Sequence, residues 1–197
     1  MTTALMVLGA CLLALSVVVL VPVRADAHCD TMDGPAVRDG RRALETGDPG
    51  HALKWVGAEH AEELREIFGL ARTARVQGGA AREVADRWFL ENLVRVHRAG
   101  EGAPYTGLKP SGTPVDEKVV AADRCVDSGT LDPLVDLVPT DLLPELEERL
   151  AEVLRRRHFD VDDLEAGRAY VEAYVGFVKL AEGEEHDHRR ARSAHRH

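Results

Sequence analysis

Residues 82–98 read REVADRWFLENLVRVHR. Apolar residues recur in this stretch at spacings of three and four, which is the period of an α-helix, and together they cover a wide face. They are Val84, Trp88, Phe89, Leu90, Leu93, Val94 and Val96. A helix with such a face is typical of the centre of a bundle, where neighbouring helices pack on more than one side.

Further helices are predicted on both sides of this stretch. Pro35 stands at a favoured first position of one helix and Gly47 at its end. Apolar spacing predicts a second helix over 59–76. The other predicted helical segments cover 51–56, 115–127, 131–138, 144–157 and 162–181. No stretch alternates between apolar and polar residues as a strand does, so we expect an all-α helical bundle.

The chain also resembles itself at an offset of 82 residues. Residues 37–48 align with residues 119–130, with similar apolar spacing and a Thr/Ser-Gly turn in each. This predicts a domain over 28–183 that is built from two related helical halves, about 35–100 and 115–183. Gly and Pro residues in 100–114 predict a structured loop between the halves. Residues 184–197 are predicted to be a disordered tail rich in His and Arg.

The N-terminus has the pattern of a secretory signal peptide. Residues 4–23 are almost wholly apolar, and Ala25-Asp26-Ala27 is an A-x-A cleavage site. Cleavage after Ala27 removes residues 1–27 and places the mature protein outside the cell or in the cell envelope. The first three residues carry no Lys or Arg, and the apolar run is long enough to span a bilayer, so an uncleaved membrane anchor is the alternative.

Charge and motifs exclude several classes of function. The net charge is −9, and basic residues are scattered rather than clustered in a stripe, which argues against nucleic acid as a partner. A membrane partner is expected only if the leader stays attached. The sequence has no phosphate-binding loop, no dinucleotide fingerprint and no local motif of a Ser-His-Asp triad.

The mature N-terminus is predicted to bind a metal ion. A free N-terminal His28 carries an α-amine and an imidazole within chelating distance, and Cys29 adds a thiolate. Nitrogen and sulfur donors of this kind suit copper or nickel. His97 could complete the site, with Glu101 four residues further on the same helix face. The alternative interpretations are a His97 hydrogen-bonded to the loop and a Cys29–Cys125 disulfide.

The opening of the mature chain resembles the metal hook of nickel superoxide dismutase, which begins His-Cys-Asp-x-x-Cys-Gly. His28, Cys29, Asp30 and Gly34 keep the register, and Asp33 takes the place of the second ligating cysteine. The resemblance implies a redox enzyme of the superoxide dismutase type on a helical bundle. One thiolate with one carboxylate is a harder ligand set and suits copper at least as well as nickel.

The chain is also similar to a family of exported bacterial proteins without an assigned function. Members combine an HCDT-x-x-GP opening with an HRAGEGAPYTGL loop, matching residues 28–35 and 97–108. We predict that His28, Cys29 and His97 hold the metal and that Asp33 and Glu101 bind it or orient its ligands. Tyr105 is predicted to give a hydrogen bond to bound oxygen species. The competing hypothesis is a non-catalytic metal-binding or partner-binding module with a Cys29–Cys125 disulfide.

Overall fold

The structure, a computed structural model, describes residues 26–183 and confirms the all-α class. No strand occurs among these residues. The predicted tail, 184–197, lies outside them, as does the predicted signal peptide apart from its last two residues. The α-helices are α1 (Asp26–Cys29), α2 (Pro35–Thr46), α3 (Gly50–Leu53), α4 (Ala61–Arg75), α5 (Gly79–Gly100), α6 (Glu117–Ser128), α7 (Leu143–Arg156) and α8 (Leu164–Glu182). Short 3-10 turns lie at Ala58–His60, Asp132–Leu134 and Thr140–Leu142.

The local sequence determines where the helices begin and end. Pro35 occupies the first turn of α2, where a missing N–H costs no hydrogen bond. Gly47 ends that helix with a φ of 81°, a left-handed conformation that glycine adopts without strain. Gly129 ends α6 in the same way, with a φ of 78°. At the start of α6, the Asp116 carboxylate accepts a hydrogen bond from the backbone N–H of Lys118 at 2.8 Å.

The helices pack in the same order in both halves of the chain. In the first half, α4 packs along α5, and α2 lies against α5. In the second half, α7 packs along α8, and α6 lies against α8. The internal repeat remains a prediction, because a shared order of elements does not by itself establish a duplication.

A single core joins the two halves. Phe89 from α5 and Phe177 from α8 are both fully buried in it. A hydrogen bond also crosses between the halves, since the side-chain Nε of Arg168 donates to the backbone carbonyl of Val56 at 2.9 Å. The site described below lies where the halves meet, and it draws residues from both.

The segment before α2 is bound to the loop between the halves. The N–H of Met32 donates to the Lys109 carbonyl at 3.0 Å, and the N–H of Lys109 donates to the Asp30 carbonyl at 2.7 Å. An isolated parallel bridge pairs Thr31 with Lys109. These bonds hold the N-terminal segment of the described chain in the interior, close to the end of α5.

Candidate functional site

The N-terminal segment contributes a run of buried polar side chains. His28, Cys29, Asp30 and Thr31 are all buried, with 8% of His28 exposed. Polar groups are rarely buried without partners, because losing water costs free energy that only a new hydrogen bond or ion pair offsets.

The His28 side chain bonds to α6 through one ring nitrogen. Its Nε2 lies 2.8 Å from Oδ2 of Asp123. The other oxygen of Asp123 accepts a hydrogen bond of 2.5 Å from the hydroxyl of Tyr174 on α8. Burial alone would raise the pKa of Asp123, but the hydrogen bonds from His28 and Tyr174 outweigh it and lower that pKa. Burial, with the Asp123 charge, raises the pKa of Tyr174, so the phenol stays protonated.

His97 on α5 is held in a similar way by a backbone group. Its Nδ1 lies 2.7 Å from the carbonyl oxygen of Trp55. A carbonyl can only accept a hydrogen bond, so the proton of a neutral His97 is on Nδ1 and the lone pair is on Nε2. Helix α5 extends to Gly100, which brings Glu101 beside His97 as the spacing predicted. The distance from His97 Nε2 to Glu101 Oε2 is 3.8 Å, too long for a hydrogen bond.

Charged side chains surround these two histidines. Arg98 donates a hydrogen bond to Glu101 at 2.9 Å, and its Nε lies 3.7 Å from Oδ2 of Asp30. Burial raises the pKa of Asp30 despite the opposing charge of Arg98. The arrangement places a guanidinium between two carboxylates, and this compensates the buried charges.

Cys29 is buried beside the same carboxylates. Burial raises the pKa of its thiol, and the charges of Glu101 and Asp30 raise it further, so the sulfur carries its proton. Next to it lies a cavity of about 20 Å³, lined by His28, Cys29 and Glu101 together with four residues of α8, which are Tyr174, Val175, Val178 and Lys179. A cavity of that size holds one water-sized ligand.

The remaining predicted site residues lie elsewhere. Asp33 is exposed, and its carboxylate accepts hydrogen bonds from the hydroxyl of Ser111 and, at 2.8 Å, from the N–H of Gly112. These bonds lower the pKa of Asp33. Tyr105 is half-buried against the core, and burial and the Glu91 charge raise its pKa. The exposed residue Glu101 links the others into one cluster, because it lines the cavity beside the buried His28 and Cys29 and its carboxylate lies 3.8 Å from Nε2 of the buried His97. Asp33 is bound to the loop instead.

Among residues 26–183, no group of three or more His, Cys, Asp or Glu side chains is drawn together closely enough to hold a metal ion. Cys29 and Cys125 are both buried and both free, so the alternative Cys29–Cys125 disulfide is not formed in the structure.

We expect a mature chain beginning at His28 to contain two free thiols. Both cysteines are buried, and burial raises the pKa of Cys125 to about 11, so reaction with a maleimide should be slow in the folded protein. Both should react after unfolding in urea without a reductant. The measurement is the intact mass after labelling, with a reduced sample as the control. An unlabelled chain that gains two labels only after reduction would instead establish the disulfide.

Sequence reasoning missed Asp123, Tyr174 and the carbonyl of Trp55. A weak signal for Asp123 was present, because it lies four residues after Val119 and three before Val126, on the edge of the buried face of α6. Tyr174 likewise lies three residues after Val171 and four before Val178 on α8. A backbone carbonyl leaves no signal in the sequence at all.

The comparisons with known proteins give one result. A family model described as a family of unknown function, DUF6448, matches residues 33–180. The chain belongs to DUF6448. The match covers α2 to α7 and almost all of α8, including His97, Asp123 and Tyr174, whereas His28 precedes it. No curated protein and no solved structure matches this DUF6448 chain. Within the described part of the chain, no helix is both long and apolar enough to cross a membrane.

Proposed function

We propose that the chain is exported, that its mature form begins at His28, and that it binds a copper ion through His28 and His97. One observation carries the proposal. Each of these buried imidazoles has one ring nitrogen bonded to an oxygen acceptor, and the other, Nδ1 of His28 and Nε2 of His97, has no hydrogen-bond partner. Histidine ligands of metals typically have this arrangement, because the acceptor sets the tautomer and the orientation of the ring.

The free nitrogen of His28 is also the chemically suitable one. A metal held by the α-amine and Nδ1 of the same histidine closes a six-membered ring, whereas Nε2 is too far from the amine to share the ion. Because Asp123 accepts the Nε2 proton, the lone pair of a neutral His28 is on Nδ1. The α-amine exists only after cleavage at Ala27.

Glu101 connects the two histidines. Its carboxylate lies 3.8 Å from Nε2 of His97, and it lines the same small cavity as His28. An amine and two imidazoles form a nitrogen-rich ligand set, called a histidine brace in copper enzymes, and such a set favours copper over harder cations. The Asp33 carboxylate accepts hydrogen bonds from the loop at Ser111 and Gly112, so it does not take the place of the second cysteine of a nickel hook, and copper is the ion that we propose.

The reaction that we propose is one-electron chemistry of the superoxide dismutase type. Bound copper would supply it by alternating between Cu(II) and Cu(I). Glu101 is placed in the cavity wall, where its carboxylate can accept a proton and return it, and Arg98 holds that carboxylate in position at 2.9 Å. His28 and His97 bind the ion.

A copper carrier is the second candidate, and the closed surroundings of the site favour it. His97 is 5% exposed, and the cavity beside His28 admits only one water-sized ligand. A site with so little access suits retention of an ion better than rapid turnover of a substrate. The two candidates share their ligands and differ in activity.

The experiment uses the mature chain with a free His28, which is titrated with copper in competition with a chelator. We expect one copper ion per chain by native mass spectrometry, with nitrogen hyperfine structure in the Cu(II) EPR spectrum. A chain with one extra Gly before His28 lacks the chelating amine, and His97→Ala lacks the second imidazole. Both should bind copper much more weakly.

The matched control is His51→Ala, because His51 lies outside the cluster and should leave copper binding unchanged. Equal affinity in the Gly-extended and unextended chains would overturn the N-terminal site. Once the copper-loaded protein is in hand, a superoxide assay separates the enzyme from the carrier.

A further inference from the structure

An open pocket lies where α2, α6, α8 and the end of α3 meet, and it has a volume of about 260 Å³. Its wall combines charged groups of both signs with aromatic rings. The charged residues are Arg38, Asp39, Lys54, Asp123 and Asp127. The volume lies just below the usual range for drug-sized ligands, so the pocket suits one small molecule and not a peptide.

The Asp39 carboxylate is held rigidly in this wall. Its Oδ2 lies 2.9 Å from Nζ of Lys54 and accepts a hydrogen bond of 2.8 Å from the indole N–H of Trp55. The Lys54 side chain is 10% exposed, and its ammonium lies over the rings of Phe159 and Tyr170. These contacts leave Oδ1 of Asp39 without a hydrogen-bond partner among the described residues. A fixed carboxylate oxygen of this kind can accept a hydrogen bond from a cationic ligand group.

Arg38 is a cation of the wall whose charge is not paired. It is exposed, and its side chain makes no hydrogen bond or ion pair within the part of the chain that the structure describes. A guanidinium binds a carboxylate through two parallel hydrogen bonds. Arg38 directly precedes Asp39 on α2, so a donor for a carboxylate and an acceptor for an ammonium are neighbours in the wall.

The Tyr170 hydroxyl is a third group that a ligand can reach. Tyr170 is half-buried, and its hydroxyl makes no hydrogen bond to any other residue of 26–183. Burial raises the pKa of Tyr170, and the Asp39 charge raises it further, so the phenol stays protonated. Its oxygen can still accept a hydrogen bond from an ammonium group.

The charges of the wall favour a ligand that carries both signs. The wall has two cations and three carboxylates, and Lys54 neutralises only one of the carboxylates. A ligand with a negative charge alone would meet an excess of carboxylates. A ligand with a positive charge alone would be repelled by Arg38 and would leave it unpaired. A zwitterion satisfies both conditions.

We propose that this pocket binds one free α-amino acid with an apolar side chain. Arg38 binds its carboxylate, and Oδ1 of Asp39 and the Tyr170 hydroxyl accept hydrogen bonds from its ammonium. Its side chain lies against Pro35 and Val126, which are apolar members of the wall. The site needs no metal ion and is independent of the proposed copper site.

The first test titrates the mature chain with leucine, valine or alanine and records NMR spectra. Copper is left out, because free amino acids chelate it. The indole N–H signal of Trp55 reports on the pocket, since this group donates to Asp39, and the signal of Trp88, the other tryptophan, is the internal reference. We expect leucine to shift the Trp55 signal saturably, with a Kd of about 1 mM or tighter.

Two halves of leucine show which groups are recognised. Isocaproate is leucine without the ammonium, and isoamylamine is leucine without the carboxylate. Each should bind at least about 10-fold more weakly than leucine, because each loses charge-assisted hydrogen bonds.

Two variants separate the two ends of the site. Arg38→Gln should weaken the binding of leucine and isocaproate by about 10-fold and leave isoamylamine unchanged. Tyr170→Phe should weaken leucine and isoamylamine and leave isocaproate unchanged. The matched control is Arg42→Gln, because Arg42 is exposed one turn further along α2 and lies outside the pocket wall. It should bind leucine as the wild-type chain does.

Three outcomes would overturn the proposal. The first is that none of the three amino acids shifts the Trp55 signal saturably. The second is that isocaproate or isoamylamine binds as tightly as leucine. The third is that Arg38→Gln keeps the wild-type affinity for leucine, or loses no more of it than Arg42→Gln does.

Discussion

Under the proposed function, replacing Asp123 by Asn is expected to weaken copper binding by the mature chain by about 10- to 100-fold, the usual cost of losing the acceptor behind a histidine ligand. Asp123 accepts from both His28 Nε2 and the Tyr174 hydroxyl. An amide has one oxygen and one NH₂ group, so it can accept from only one of the two. If the NH₂ group of the new amide faces His28, it donates a hydrogen bond to Nε2, and the proton of a neutral His28 is then on Nδ1. A protonated Nδ1 has no lone pair for the metal ion.

The same substitution should lower the free energy of unfolding by about 1–3 kcal/mol, because one buried polar group loses its partner. The measurements are a chelator competition for copper and a urea titration for stability. Asp127→Asn is the matched control, since Asp127 is exposed one turn further along α6. Asp127→Asn removes the same charge, but Asp127 makes no hydrogen bond to His28. We expect the copper affinity and the free energy of unfolding to stay near the wild-type values. An Asp123→Asn chain with wild-type copper affinity would show that the tautomer of His28 is irrelevant.

Replacing Gly34 by Ala is expected to displace the N-terminal segment. A Cβ atom added at Gly34 would lie 2.2 Å from the carbonyl oxygen of His28, far inside contact distance. Gly34 has a φ of −69° and a ψ of 158°, which any residue adopts, so the cost arises from the collision alone. The backbone of His28 must move away, and its ring would move with it. We expect a loss of about 1–3 kcal/mol in unfolding free energy, as for other overpacked sites. Under the proposed function, copper binding should also weaken.

Gly69→Ala is the control for this substitution. Gly69 lies within α4, and an added Cβ atom meets no neighbouring atom within 4 Å. Alanine restricts the unfolded chain and favours the helix, so Gly69→Ala should stabilise the protein by about 0.5–1 kcal/mol. Urea unfolding of both variants therefore gives changes of opposite sign. A Gly34→Ala chain as stable as Gly69→Ala would mean that the turn at residues 28–34 is free to rearrange.

The helices could be predicted because their signals are local. Pro35, Gly47 and Gly129 mark helix ends in the structure through their own backbone geometry. Most of the predicted apolar face of α5 is buried, because residues three and four apart share one face of a helix. The prediction was wrong for Val84 and Trp88, which belong to the predicted face and are exposed in the structure.

The partners in the site could not be predicted, because they are distant in sequence. His28 meets Asp123 across 95 positions, and His97 meets the Trp55 carbonyl across 42. No periodicity encodes such a pair. For Asp33, the resemblance to a known hook predicted a place at the metal, and in the structure its short side chain bonds to the loop at Ser111 and Gly112, which are distant in sequence as well.

Helix α1 runs across the proposed cleavage point, because it spans Asp26–Cys29. In an uncut precursor the nitrogen of His28 belongs to a peptide bond, and an amide is a poor ligand compared with an amine. Under the proposed function, the folded precursor would present both imidazoles and still lack the chelate. The peptidase, and not the folding of the chain, would then determine when and on which side of the membrane metal loading begins, which would keep the protein from competing for copper in the compartment where it is synthesised.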